Sequence, residues 1–366
     1  MHRHSKASAN LWWCLLVQPQ GCASGVVPLF DSAFDSAFDS IFNVNFSLNN
    51  MVAALGLLGV CATAAAADSS VTVYGRIDTA IESVKTGNDR VNGVNNSDSY
   101  FGFKGQENLG NGLKVGFIVE SAINSDDGHI SNTEFFSNRS ELNLQGVFGT
   151  VRMGRFFSPS YYAVADRTSM HNDDYGITAD ALYAGVENAN NRLAYKSPVM
   201  NGLTVESSVS FHERTADNMG KNAYDLAANY DRGNWSFGAG YGQWAQARQY
   251  ALRATWSEGG WTVSGYHQRS QDVVVGVTEK ANVSRIAVAY TMGAGDIQAN
   301  FGHANAAGKA QAQQWTVGYN HHLSKRTKLY AFYTVLQNKH GASFGSDDMV
   351  ANEDRKAVSV GIRHSF

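Results

Sequence analysis

The sequence predicts an all-β chain closed into an antiparallel sheet of sixteen strands. Three observations carry this. Hydrophobicity alternates with period two along nearly every segment after residue 68, tight turns alternate with mostly longer polar connections, and aromatic residues gather near segment ends. One apolar and one polar face per segment is the pattern of a half-buried antiparallel strand.

The segments run in order near 70–84, 97–107, 112–124, 136–146, 149–155, 191–198, 202–213, 221–231, 233–243, 247–257, 259–270, 281–292, 294–304, 311–322, 326–337 and 355–366. In the first, Val71, Val73, Ile77 and Ile81 alternate with Thr72, Tyr74, Arg76 and Asp78; in the last, Val358, Val360 and Ile362 alternate with Ser359, Gly361 and Arg363. Every second connection is short, as in Asn108-Leu-Gly-Asn-Gly112 and Glu258-Gly-Gly260, and the longest of the others spans 156–190. Short turns therefore share one side of the sheet. Pro159 falls in that long connection and Pro198 at a turn, so no proline interrupts a ladder.

Composition narrows the class. The chain has 366 residues and a net charge of −3, which gives no basic face for nucleic acid. No free-standing apolar run of eighteen residues points to a membrane helix. All three cysteines, Cys14, Cys22 and Cys61, precede residue 68, so the remainder is neither a disulfide scaffold nor a thiolate metal site. Neither a metal nor a cofactor is expected.

Segment 51–67 reads as the apolar core and small-residue end of a secretory signal, with Ala65 and Ala67 before a cut at Asp68. Residues 1–50, with Trp12-Trp13 and the repeated Asp-Ser-Ala-Phe from Asp31, look foreign and are expected to be upstream sequence ahead of a start at Met51. The alternatives are an unusually long signal, or lipid attachment at Cys61, where Val60 stands in place of a small residue. The chain is exported on any of these readings, and 68–366 forms one domain.

An exported chain with an even number of roughly ten-residue amphipathic strands has the signature of an outer-membrane barrel. Unpaired amides are intolerable in hydrocarbon, so the sheet closes on itself. Sixteen strands leave a lumen too wide for side chains to fill, hence an aqueous channel. Phe366, ending an amphipathic strand, fits the terminal aromatic read by bacterial barrel-assembly machinery.

Several stretches carry a family resemblance. Ser69-Ser-Val-Thr-Val-Tyr-Gly-Arg-Ile-Asp78, Gly102-Phe-Lys-Gly-Gln-Glu-Asn-Leu-Gly-Asn-Gly-Leu-Lys114, Phe148-Gly-Thr-Val-Arg-Met-Gly-Arg155, His321-His-Leu-Ser-Lys-Arg-Thr-Lys-Leu-Tyr330 and Val360-Gly-Ile-Arg-His-Ser-Phe366 resemble the general porins of beta-proteobacteria and neisseriae. The resemblance runs from Ser69 to Phe366 in order. It implies a homotrimeric, closed antiparallel 16-stranded transmembrane β-barrel of the Gram-negative outer membrane, set among outer-membrane lipids. Ions and small hydrophilic solutes would pass by passive diffusion. It also implies an inward-folded third external loop, and 156–190 stands where that loop belongs.

A channel has no catalytic residues; its chemistry is the field in a narrow polar lumen. Pleat parity turns Arg76, Lys104, Arg139, Arg152 and Arg192 inward, among other charges. The strongest basic candidates beside the loop are Arg139, Arg152, Arg155 and Arg192, faced by Asp166, Asp173, Asp174 and Asp180 from the loop. Opposed rows of this kind make a transverse field. Some of these carboxylates would instead hold the loop through backbone amides. The family resemblance implies arginine where this chain has Tyr100, Asn138 and Asn188. Their loss argues against strong anion preference. The alternatives are a surface adhesin and a barrel hydrolase; His267 and His303 lie near outer strand ends, without an evident Ser–acid partner in sequence.

Overall fold

The computed structural model describes residues 69–169, 181–185, 189–212, 220–273, 280–306, 310–345 and 349–366. Residues 1–50, the expected signal segment 51–67 and the expected first residue Asp68 lie outside these.

The chain forms β1 (Ser69–Thr86), β2 (Asp89–Asn96), β3 (Ser99–Gly110), β4 (Leu113–Ile123), β5 (Arg139–Gly146) and β6 (Gly149–Arg155). Two short helices follow, α1 (Pro159–Val164) and α2 (Asp166–Ser169). Then come β7 (Arg192–Lys196), β8 (Leu203–Ser210), β9 (Ala223–Arg232), β10 (Trp235–Trp244), β11 (Ala247–Glu258) and β12 (Trp261–Gln271). The rest are β13 (Lys280–Met292), β14 (Gly295–Ala306), β15 (Ala310–His322), β16 (Thr327–Lys339) and β17 (Arg355–Ser365).

Successive strands pair antiparallel, except that β2 and β3 both pair with β1, and β1 pairs with β17 from Arg76↔Ser365 to Thr86↔Arg355, which closes the sheet. Two backbone bonds complete the seam, Gly75 N to Phe366 O (3.2 Å) and Phe366 N to Gly75 O (3.0 Å). The barrel has sixteen courses although seventeen strands are distinguished. Residues 79–86 of β1 pair with β2 and residues 69–76 with β3, so β2 and β3 are one course broken at Ser97-Asp98. At the break Asp98 takes φ 58°, and the Ser99 hydroxyl accepts from Asp78 N at 2.9 Å. The sequence pattern did not resolve β2.

The short turns are built as their residues require. Gly259 and Gly260 have φ of 58° and 87° between β11 and β12, the double positive-φ turn that matches strand twist. The connections at the other end are not all long. β10 and β11 are joined there by Ala245 and Gln246 alone, with Ala245 at φ 55°.

Residues opposite one another in a ladder share a face, so the register assigns every strand residue a side. Val71, Ile81, Phe237, Ile286, Phe301, Val317, Val360 and Ile362 are exposed on the outer side. Trp261 and Tyr290, a cross-strand pair at the short-turn end, have ring centroids 4.5 Å apart. The inner side carries polar and small residues. Asp78 there is fully buried and accepts from Tyr330 Oη (2.7 Å) and Arg363 Nε (2.5 Å), tying β1 to β16 and β17. The largest apolar cluster is also on this side: Ala227, Ala251, Val283, Ala304, Ala312 and Leu336 of the wall pack with Val164 and Leu182.

Candidate functional site

The segment after β6 lies against the polar side of β9 to β12. Ser158 caps α1, its hydroxyl accepting from Tyr161 N at 3.2 Å, and Pro159 follows at the first helical position. The buried Asp225 of β9 receives that end: Ser158 Oγ and Ser160 Oγ each donate to Oδ2 at 2.6 Å, and Ser160 N to Oδ1 at 2.9 Å. At the far end of α1, Arg253 Nε of β11 donates to Ala163 O at 2.8 Å. A carboxylate at the start and a guanidinium at the end both complement the helix dipole.

Close approach depends on missing side chains. A Cβ on Gly240 would lie 2.7 Å from Ser160 Cβ, and one on Gly238 2.2 Å from Ala163 O. Gln268 of β12 grips the returning chain as a strand would, donating to Ala184 O (2.6 Å) and accepting from Ala184 N (3.0 Å).

The wall from β1 to β8 carries the basic residues expected to line the pore. Arg152 sits between two wall carboxylates, Nη2 3.0 Å from Glu141 Oε2 and Nη1 2.7 Å from Glu206 Oε1. Its guanidinium lies 4.0 Å from the Phe156 ring centroid, and that of Arg192 lies 5.5 Å from the same ring. Arg192 is buried and donates to Ser210 Oγ at 3.0 Å. Arg139 stands opposite Glu120 in the β4–β5 ladder. Glu120 accepts from Tyr74 Oη (2.8 Å) and Asn138 Nδ2 (3.0 Å). Arg76 pairs with Asp98 and lies 5.1 Å from the Tyr100 ring centroid; Lys104 Nζ lies 4.8 Å from that of Tyr74. In α1, burial pushes the Tyr162 hydroxyl up to about 12, against the opposing pull of Arg139.

A closed barrel with a polar, charged inner wall and an apolar exterior is what a water-filled membrane channel requires. A family model described as Gram-negative porin matches residues 31–341. The chain belongs to the Gram-negative porin family. Outer membrane porin protein 32 of Delftia acidovorans is 31% identical over 343 residues, covering 83% of this porin and 96% of that protein. Major outer membrane protein P.IB of Neisseria lactamica is 27% identical over 360 residues, covering 86% and 100%. Among solved structures, the anion-selective porin from Comamonas acidovorans superposes with TM-score 0.72 at 29% identity, over 82% of this chain and 100% of that one. OmpT of Vibrio cholerae, in its trimer form, is alike in fold, with TM-score 0.61 at 16% identity over 81% and 99%. The porin is thus a multi-pass outer-membrane protein.

The register turns Arg76, Lys104, Arg139, Arg152 and Arg192 of this porin to the inner side. Arg155 departs from the expected pore-lining position. It pairs with Ser140, whose side chain belongs to the outer side. Its guanidinium bonds Ser137 O (2.5 Å) and Asn190 Oδ1, and so ties strand ends together. Strict alternation from the inward Arg152 and outward Met153 itself puts Arg155 on the outer side. Asp166 begins α2 and acts electrostatically on Tyr162. Asp173, Asp174, Asp180 and Asn188 lie outside the described residues. Tyr100 faces inward with its ring 6.2 Å from that of Tyr74, and Asn138 is a ligand of Glu120. His267 faces outward and shares a hydrogen bond with Ser284 Oγ (2.9 Å).

Sequence reasoning missed two things here. Glu206 as a second partner of Arg152 was foreshadowed only by its parity. The role of Asp225 had no local signal, since its partners lie more than sixty residues away.

Proposed function

We infer that the protein is a trimeric diffusion channel for ions and small hydrophilic solutes, narrowed by 156–190 as an inward-folded third external loop. Its ion selectivity is weak, nearer neutral or cationic than that of anion-selective relatives. The loop reading is supported by the contacts of α1 with Asp225 and Arg253. The observation that carries the selectivity is Arg152, held between Glu141 and Glu206. A guanidinium flanked by two carboxylates on its own wall offers a passing anion little net attraction. Two unit charges 4 Å apart interact by about 4 kcal/mol at an effective dielectric constant near 20, so the local pair dominates. Tyr100 and Asn138 add no positive charge where the family resemblance implies arginine.

Reversal potentials in planar bilayers under a salt gradient test this. The unmodified channel should lie near zero or on the cation side, and Tyr100→Arg should shift toward anions. Strong anion selectivity in the unmodified channel would sink the charge argument while leaving the channel assignment intact.

A further inference from the structure

The outward Trp and Tyr residues of the barrel are confined to one sector. In membrane barrels these side chains sit at the headgroup level, where each meets both lipid and water. On β7 to β16 the register turns Tyr195, Tyr230, Trp235, Trp256, Trp261 and Tyr290 outward, among others. Among the described residues no Trp or Tyr of β1 to β6 or β17 faces outward; Tyr74 and Tyr100 of those strands both face the inner side. The sector from β7 to β16 therefore meets lipid, and the sector around the closing seam is left for contact between protomers.

Within the lipid-facing sector the surface is hollowed. Ala228 stands opposite Ala239 in the β9–β10 ladder, and Ala254 opposite Gly265 in the β11–β12 ladder. The second pair is one outward step nearer the short turns, since Ala254 faces Phe237 while Ala239 faces Leu252. These four small residues floor a trough of about 940 Å³, bounded toward the short turns by Tyr230, Phe237 and Trp256 and on its other side by Leu252 and His267. At the turn rim it meets a second hollow of about 810 Å³, lined by Met200, Gly202 and Arg232; Leu203 and Tyr230 line both. Arg232 is exposed on the outward face, and its Nη1 donates to Tyr230 Oη at 3.3 Å, so its guanidinium lies where the two hollows join. Among the described residues no carboxylate lies at ion-pair distance from it, and the outward Glu258 is two strands away.

An unfilled trough against hydrocarbon forfeits dispersion contacts, and at that depth lipid carbon is what can fill it. Ala228 lies four residues along β9 from Arg232, about 13 Å, a span that a headgroup and the first carbons of an acyl chain cover. A soluble anion would use Arg232 and leave the trough empty. Short turns face the periplasm in such barrels, so this rim lies in the inner leaflet, which is built of phospholipid. We propose that this surface is a binding site for one anionic glycerophospholipid of the inner leaflet, its phosphate on Arg232 and one acyl chain along Ala228, Ala239, Ala254 and Gly265. The proposal rests on the outer-membrane assignment and is independent of the loop and selectivity readings.

The test uses the full protein, delipidated in detergent as its native oligomer and titrated with dioleoyl phosphatidylglycerol, with bound lipid counted by native mass spectrometry. One lipid per protomer should bind ahead of any others. A cation at an anionic headgroup contributes roughly a factor of five, so Arg232→Gln should weaken that binding about fivefold. Ala254→Leu should displace two or three methylenes from the trough and weaken it on the order of 10-fold. Ala299→Leu, at an exposed outward alanine of β14 away from the trough, should bind as the unmodified protein does. Dioleoylglycerol, which lacks the phosphate, should bind poorly, and free glycerol phosphate should not displace the lipid. If Ala254→Leu does not fold, Ala228→Leu at the other end of the trough carries the same expectation. Unchanged binding by Arg232→Gln or by the trough variant overturns the proposal, as does equal weakening by Ala299→Leu or equal binding of dioleoylglycerol. Displacement by glycerol phosphate also overturns it, by reducing the site to an anion hollow. So does loss of the oligomer in the trough variant with lipid binding intact, which would make the trough a contact between protomers.

Discussion

Asp225 is a buried carboxylate whose acceptor capacity is spent on α1. Three of its hydrogen bonds run to Ser158 and Ser160. Hydrogen bonds to a charged group contribute about 1.5–3 kcal/mol each, so removing the carboxylate releases a large share of what holds the segment. Asp225→Ala should therefore give noisier and more broadly distributed single-channel conductance, while thermal unfolding of the barrel, followed by circular dichroism, shifts little. A conductance histogram as narrow as that of the unmodified channel would show that α1 is held by other means. Gly238→Ala should act alike, because its methyl would meet Ala163 O, a backbone atom that cannot rotate away. At this scale the sequence was only half legible. Parity alone turned Arg76, Lys104, Arg139, Arg152 and Arg192 inward, because a charge costs about 2–4 kcal/mol at the lipid midplane. Partnership was not legible: that Arg152 meets Glu141 and Glu206, or that Asp225 meets Ser158, follows from closure of the sheet and not from local spacing.

Among the elements, strands that cross the apolar belt announced themselves and β2 did not. Its sequence, Asp89-Arg-Val-Asn-Gly-Val-Asn-Asn96, is polar on both faces apart from Val91 and Val94. A hairpin projecting past the hydrocarbon has no lipid to face, so nothing imposes an apolar alternate. β1 runs on to Thr86 to pair with it, and the turn at Gly87 takes φ 57°. The missed element thus reports on where the membrane stops. It also fixes an orientation that can be checked. A short epitope tag inserted between Asn88 and Asp89 should be tolerated, since the turn lies beyond the ladder, and antibody should label it on intact cells. Labelling only after permeabilisation would invert the barrel. The tight Ala245–Gln246 turn at the same end was legible, since the expected segments 233–243 and 247–257 leave only three residues between them.

For the whole molecule, sixteen strands were legible because closure, lipid and export each demand the same alternation, and agreement between levels is what makes a fold readable. Association is a property the barrel alone does not reveal. The trimer should run as a large species on gels without boiling and collapse to about the 39.7 kDa chain mass, less any leader removed, after boiling. A monomer-sized unboiled band would count against it. Ion preference is the sum over the lumen, and several of its cations are already engaged: Arg76 with Asp98, Arg152 with Glu141 and Glu206, Arg363 with Asp78. What a permeating ion feels is the residue left after those pairs. A tenfold ratio needs about 1.4 kcal/mol of difference between anion and cation. The anion:cation permeability ratio at 0.1 M salt should stay within about threefold of unity. The Debye length shrinks from about 10 Å at 0.1 M to about 3 Å at 1 M, so unpaired charges of the wall then act only on ions in contact with them. The ratio should accordingly approach the bare mobility ratio of the two ions at 1 M, and Tyr100→Arg should separate from the unmodified channel mainly at low salt. A ratio far from unity that persists at 1 M would mean a discrete binding site for one ion sign, and the account of a self-neutralised wall would fail.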